Sequence, residues 1–335
     1  MRKIQVALIG LNFMSHAQQV CNSILKQTEL FELVGYALPE NEREKFPQVA
    51  ALLDGYPEMT VEQILNDPEI EAVVIETEEI HLLKYAILAA KHKKHIHMEK
   101  PGGQDAKQFA QLVSTLKENK TVFHIGYMYR YNPYIQALLE DIRKGELGQI
   151  ISVDAEMNCF HEPQNRQWLS CFEGGMMFFL GCHLIDLVLQ IQGKPKCIIP
   201  FNKCTGVDGV TATDFGMAVL EYDNAVSTVK TTAMEIGGYA RRHLVVTGTK
   251  KTVELRPLEM LLPEGHFTEK TEYTKPEYWE HRGDFRKSEV FDRYDPMMAA
   301  FAQMVRGEQK NPYTYDYELE LYKTVLACCG ISDNG

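Results

Sequence analysis

The sequence has no long run of basic residues, no C-x-x-C pair, and no apolar stretch approaching the roughly 18 residues of a membrane span. Lys and Arg number 35 against 46 Asp and Glu, for a formal net charge of −11. That balance argues against nucleic acid or an anionic membrane surface as the main partner. The eight cysteines stand at 21, 159, 171, 182, 197, 204, 328 and 329, and the only close pair is the adjacent Cys328-Cys329. This is no zinc-ribbon spacing, and a chain of this size needs no disulfide staples, so reduced thiols in a cytoplasmic protein are expected. The early apolar run Ile4–Ile9 is too short for a signal peptide, contains Gln5 and lacks a small-residue cleavage site. Internal repeats and low-complexity tracts are also missing.

What is present is ordinary globular composition, 45% hydrophobic and 24% charged over 335 residues. At roughly 150 residues per domain, that length predicts two domains. The first 125 residues alternate strand and helix patterns. Strands are expected at Ile4–Ile9, 33–38, Ala72–Ile75, His95–Met98 and 121–125, and helices at 15–28, 42–53, 61–65, 81–93 and 105–118. Such alternation builds βαβ units and a parallel sheet. The remainder, 126–335, reads differently. Helices at 133–144 and 176–192 precede strand-like runs at 196–205, 213–222, Ala225–Thr232, 243–249 and Thr252–Leu255. Short turns such as Tyr222-Asp223-Asn224 join them, which favours an antiparallel or mixed sheet. A charged, Tyr-rich stretch over 264–290, with Tyr273, Tyr278 and Trp279, reads as a solvated excursion, with a lid or an oligomer contact as the alternatives, before a last helix near 297–306.

A strand that ends in Gly10 and runs into a helix is a place for a dinucleotide pyrophosphate, because the helix start offers unpaired N–H groups and partial positive charge. The fingerprint G-x-G-x-x-G is met here by Gly10-Leu11-Asn12-Phe13-Met14-Ser15, with only the first glycine kept. Asn12 tolerates the turn, but its side chain is expected to crowd the pyrophosphate or hydrogen-bond to it. Leu38 stands where an acid would grip the adenosine ribose, with Glu40 two residues on as an imperfect substitute.

Later segments carry a resemblance. His95-Ile96-His97-Met98-Glu99-Lys100-Pro101 resembles the Glu-Lys-Pro strand end of the Gfo/Idh/MocA oxidoreductases, named for glucose–fructose oxidoreductase and inositol dehydrogenase. Gly126-Tyr127-Met128-Tyr129-Arg130-Tyr131-Asn132-Pro133 is similar to the family's inter-domain segment, and residues 242–255 to a hairpin of its second domain. The run from Gly174-Gly175 to His183-Leu184-Ile185-Asp186 resembles its motif G-G-x-x-x-D-x-G-x-H-x-I-D. The resemblance spans nearly the whole chain. It implies an α/β protein: an N-terminal Rossmann domain with a doubly wound parallel sheet over 1–125, then an α+β domain with a large open, mostly antiparallel sheet over 126–335. It also implies NAD or NADP as cofactor, undecided between the two, and a carbohydrate-like substrate. By analogy with the family, assembly as a homodimer or homotetramer is expected.

By the same resemblance Lys100 and His183 take the catalytic positions. A histidine accepts the hydroxyl proton as hydride leaves a carbinol, and an ammonium steadies the developing alkoxide. Cofactor contacts are expected from Gly10, Asn12, Phe13, Met14, Leu38, Thr77, Glu78, His81, Glu99, Lys100 and Pro101. Substrate contacts are expected from Lys100, Tyr129, Arg130, His161, Arg166, Phe179, His183 and Asp186. His161, Glu162, Asn165 and Arg166 either read substrate or cover a sheet edge, and Asp186 either holds substrate or caps a neighbouring element. Two departures stand out. Phe179 replaces the family's aspartate one turn before the histidine, which dries the pocket and favours neutral imidazole. Thr77-Glu78-Glu79-Ile80-His81 puts two carboxylates where the family has an uncharged turn. His92, His95 and His97 invite a metal reading, but a helix end feeding a strand explains them, and no metal is expected. The leading expectation is therefore a dehydrogenase acting on a sugar, polyol or related compound. The alternatives are a glycoside-cleaving enzyme that cycles its nicotinamide, and a non-catalytic ligand-binding member of the fold.

Overall fold

The computed structural model describes residues 2–275 and 282–331 and divides into two compact units, Met1–Tyr127 with Tyr294–Tyr322, and Met128–Arg293 with Lys323–Gly335. In the first unit the chain runs β1 (Ile4–Ile9), α1 (Ala17–Lys26), β2 (Phe31–Ala37), α2 (Glu42–Lys45), α3 (Pro47–Ala50), α4 (Val61–Asn66), β3 (Ala72–Ile75), α5 (Leu82–Lys91), β4 (His95–Met98), α6 (Ala106–Asn119) and β5 (Phe123–Ile125). The five strands are parallel in the order β2-β1-β3-β4-β5. Every residue of β3 is buried, as a parallel strand covered on both faces requires. The sheet order reverses direction between β1 and β3, the switch point where an open α/β sheet leaves a crevice at its strand ends.

Side chains set several helix ends. Thr60 and Gln63 form a reciprocal capping box on α4, and Asp105 caps α6 through the Gln108 amide. The single helix expected over 42–53 is broken. Pro47 supplies no N–H and turns Phe46 out of helical geometry (φ −133°, ψ 56°), so α2 ends and α3 starts afresh.

The second unit opens with α7 (Pro133–Arg143), capped by Asn132, followed by β6 (Ile150–Glu156) and α8 (Pro163–Trp168). A π-helical segment, Met177–Gly181, leads into α9 (Cys182–Gln192) where one continuous helix is expected from the sequence. Then come β7 (Cys197–Pro200), β8 (Phe215–Tyr222), β9 (Ala225–Thr232), β10 (His243–Gly248), β11 (Thr252–Leu255), β12 (Met260–Leu262), β13 (Gly265–Phe267), β14 (Glu269–Tyr273) and β15 (Asp284–Lys287). Eight of them form one sheet in the order β15-β14-β11-β10-β6-β9-β8-β7, antiparallel except for β6 beside β9. The central strand β6 is not among the expected elements. Its polar residues find partners across the sheet, Asp154 with the Thr228 hydroxyl at 2.7 Å and Glu156 with Lys230 at 3.1 Å. The stretch 264–290 is not simply a solvated excursion, since β14 and β15 in it extend the sheet. Tyr278 and Trp279 lie outside the described residues.

The two-domain expectation needs correcting at its boundary. The division falls at Tyr127 rather than residue 125, and α10 (Tyr294–Val305) with the start of α11 (Tyr315–Cys328) returns to the first unit. Tyr322 shows why. Its ring stacks on Phe109 of α6 with centroids 3.9 Å apart and planes 4° apart, and its hydroxyl donates to the Gly103 carbonyl at 3.0 Å. Tyr322→Ala is therefore expected to cost about 3–5 kcal/mol in urea unfolding of the full chain, a core loss rather than a surface one.

Candidate active site

In the first unit, the turn after β1 packs directly on the turn after β3. Gly10 has φ +78°, and a Cβ there would lie 2.2 Å from Thr77 Cγ2, so only glycine fits. The Glu76 amide donates to the Ile9 carbonyl at 2.9 Å. Asn12 is fully buried and bonded within the protein. Its amide donates to the Thr77 and Glu76 carbonyls at 2.9 and 3.4 Å, and its oxygen accepts the Ser15 amide at 2.8 Å. It braces the turn that the missing second glycine would have formed. These residues fit a dinucleotide, with the backbone of the turn over 11–14 left to hold the pyrophosphate ahead of α1. Phe13, 62% exposed, lines a cleft of about 360 Å³ with Lys45, Phe46, Pro47, Gln48 and Val49, and Met14 is half-buried.

Leu38 is half-buried just past β2, and Glu40 is already engaged within the protein. Its carboxylate receives the Lys84 ammonium at 2.7 Å and the Tyr85 hydroxyl, with the His81 ring 3.8 Å away. Burial works to raise its pKa, but those donors hold it below the usual carboxylate range. Glu78 pairs with Lys45 at 2.7 Å.

The ends of β3 and β4 gather buried charge. Glu76, Glu79, Glu99 and Lys100 are each at most 1% exposed, and Pro101 is buried beside them. Glu99 lies 3.3 Å from His16 Nδ1 and 3.6 Å from Lys100 Nζ. Burial opposes its ionisation, yet His16, Lys100 and His97 together keep its pKa below the ordinary value. Burial, with Glu99 and Glu79 nearby, drives Glu76 well above it. Burial likewise pushes Glu79 up to about 7, against the pull of Lys100. Among the three histidines of the metal reading, His97 contacts His124 (Nδ1 to Nδ1 2.6 Å), His95 accepts the Val122 amide, and His92 bonds Leu88, so each has a local role.

In the second unit, α9 carries His183, 1% exposed, with the Tyr129 ring edge-on at 5.7 Å. Tyr129 donates to Glu259 at 2.7 Å, and Glu259 also takes Arg242 at 3.0 Å and Arg293 at 2.8 Å. Burial opposes ionisation of Glu259, and the two guanidiniums outweigh it and lower its pKa. Burial and the Glu259 charge push the Tyr129 phenol well up. Arg130 and Asp186 meet as a buried bidentate pair at 3.0 and 2.8 Å, with Gln190 also on Asp186 at 2.8 Å. Arg166 is fully buried. It grips Asp208, Asp214 at 3.2 Å and the carbonyls of His161 and Val207. His161 is half-buried, and burial followed by the Arg242 charge lowers its pKa. Phe179 belongs to an aromatic group, edge-on to Trp168 at 5.1 Å and stacked on Phe172 at 6.1 Å.

Sequence reasoning missed Glu76, His16, Glu259, Arg242 and Arg293. Only Glu76 had a local signal, an acid placed immediately after a wholly apolar strand.

Comparison with known proteins agrees with this architecture. A family model described as an oxidoreductase family with an NAD-binding Rossmann fold matches residues 4–127, and a GFO/IDH/MocA C-terminal domain matches 135–254. The chain belongs to the Gfo/Idh/MocA family of NAD(P)-binding oxidoreductases. An uncharacterized oxidoreductase of Rhizobium meliloti is 22% identical over 61% of each chain. The NADP+-dependent scyllo-inositol 2-dehydrogenase of Bacillus subtilis is 25% identical over 48% of this chain and 46% of its own length. Both matches span less than two thirds of the relative's own length. In fold, the chain is similar to the 3-ketoreductase KijD10 of Actinomadura kijaniata, solved with NADP and TDP-benzene (TM-score 0.80, 16% identity, 97% of each chain). No helix among the described residues is long and apolar enough to cross a membrane.

If Asn12 is a brace, Asn12→Gly should lower stability by about 1–3 kcal/mol in urea unfolding while leaving NADH affinity no tighter. A tighter complex would mean that the side chain had been obstructing the ligand. Glu79 gives a pH test. Its carboxyl is raised in the folded chain from 4.5 to about 7. Its stability contribution is full below the unfolded value and is lost as pH rises through the folded one. Unfolding midpoints should fall across that window in the wild type and fall less in Glu79→Gln.

Proposed function

We propose that this oxidoreductase is a dehydrogenase acting on the CH–OH group of a sugar, polyol or related hydroxy or keto compound, with NAD or NADP as cofactor. The observation that carries the reading is Lys100, a buried ammonium held beside Glu99 at the carboxyl end of β4. The bound nicotinamide supplies the hydride acceptor or donor. In the first unit Lys100 steadies the negative charge that develops on the substrate oxygen. In the second unit His183 exchanges the hydroxyl proton, its ring backed by Tyr129. Phe179, packed with Trp168 and Phe172, leaves an apolar wall where an aspartate would bind a hydroxyl. The protein acts as a homodimer or homotetramer through the second-unit sheet, whose outward face exposes Ile199 and Val226.

Fluorescence titration of the purified chain with NADH and NADPH tests the cofactor, and turnover of a sugar and polyol panel tests the chemistry. Binding of at least one cofactor is expected, with His183→Ala lowering kcat by about 10²- to 10⁴-fold. Absence of binding to both at millimolar concentration, or turnover untouched in His183→Ala, would overturn the reading.

A further inference from the structure

Glu76 and Glu79 pose a physical problem that the proposed reaction leaves open. Both follow β3, both are at most 1% exposed, and their buried carboxyl oxygens take no hydrogen bond from another residue among those described. Leaving such groups buried is costly unless something compensates them when the protein works. Glu99, next to them, already has Lys100 and His16 as ion partners. His97 Nε2 lies 3.4 Å from Glu76, but burial lowers that histidine to about 4, so it brings no charge at neutral pH. Lys100 also pulls on Glu76 and Glu79, so one ammonium is shared among three buried carboxyl groups.

Their position is set by packing. Gly10 lies against Thr77, and Asn12 donates to the carbonyls of Glu76 and Thr77. The two acids thus lie in the turn that floors the crevice at the switch point between β1 and β3. This argument rests on the dinucleotide reading given above. The oxidised and reduced forms of a nicotinamide dinucleotide share the same riboses and pyrophosphate. They differ in the nicotinamide ring, which is cationic when oxidised and neutral when reduced. We propose that Glu76 and Glu79 make the first-unit crevice charge-selective, so that it binds the oxidised, cationic dinucleotide in preference to its reduced partner.

The groups facing these acids are Cys21 from α1, His97, Glu99 and Lys100 at β4, and Glu78 in their own turn. With Lys100 shared among three acids, burial keeps Glu79 partly protonated near neutrality. A cationic ring lowers the cost of ionisation, so binding of the oxidised form expels protons that the reduced form leaves in place.

Isothermal titration calorimetry on the full chain tests this with NAD+, NADH, NADP+ and NADPH, in two buffers of different ionisation enthalpy. The oxidised form of the better-bound pair is expected to bind about tenfold or more tighter than the reduced form at neutral pH, with proton release seen only for the oxidised form. Glu76→Gln/Glu79→Gln should bring the two forms within about threefold and abolish the release, with affinity for the reduced form kept. Should the double variant misfold, the wild type alone decides: its preference for the oxidised form must grow as pH rises through the Glu79 transition. Equal or tighter binding of the reduced form, or a preference that survives in the variant, overturns the inference while leaving the dehydrogenase reading intact. Binding of none of the four overturns both.

Discussion

The approach of Gly10 to Thr77 is the constraint on which the first unit's crevice depends. Two strand ends can share a floor only where one of them carries no side chain, and a Cβ 2.2 Å from Thr77 would push them apart. Asn12 then locks the contact with bonds to carbonyls of the neighbouring turn, doing through a side-chain amide what a glycine turn does through backbone freedom. Because β3 is fixed this way, Glu76 and Glu79 are buried by default, and Lys100, one strand over, is held among acids rather than in water.

The second unit solves its polar burial differently. Its buried charges are almost all matched: Arg130 with Asp186, Arg166 with Asp208 and Asp214, and Arg242 and Arg293 with Glu259. Such clusters add little net stability, but removing one partner strands the other, so they hold geometry tightly. His183 benefits through Tyr129, which Glu259 holds by its hydroxyl. The π-helical segment ahead of α9 seats Phe179 among aromatics, so this side chain belongs to a hydrophobic wall.

Much of the fold was legible beforehand. Ile4–Ile9 and Ala72–Ile75 are short, mostly apolar runs suited to a strand covered on both faces, and the structure keeps their bounds and those expected for His95–Met98. β6 was not legible, because its polar face is stabilised by Thr228 and Lys230 on a strand 74 positions away in sequence. The return of α10 to the first unit was hidden for the same reason, since its Asp295 meets Ser23 and Lys26 across the length of the chain. Lys100 in the first unit and His183 in the second were visible as motif residues, whereas Glu259 carried no local signal.

By itself, the sequence determined the order of strands and helices, the glycine turn after β1 and the motif positions of Lys100 and His183. These depend on neighbours within a few residues: apolar period, turn chemistry and helix caps. Tertiary structure alone decided which polar groups are spent and which stay charged. Asn12 became a brace, Glu40 was taken by α5, Arg166 was walled in by two aspartates, and Glu76 and Glu79 were left buried. Burial and ion pairing are properties of the packed unit, and partners such as Tyr129 and Glu259 stand 130 residues apart.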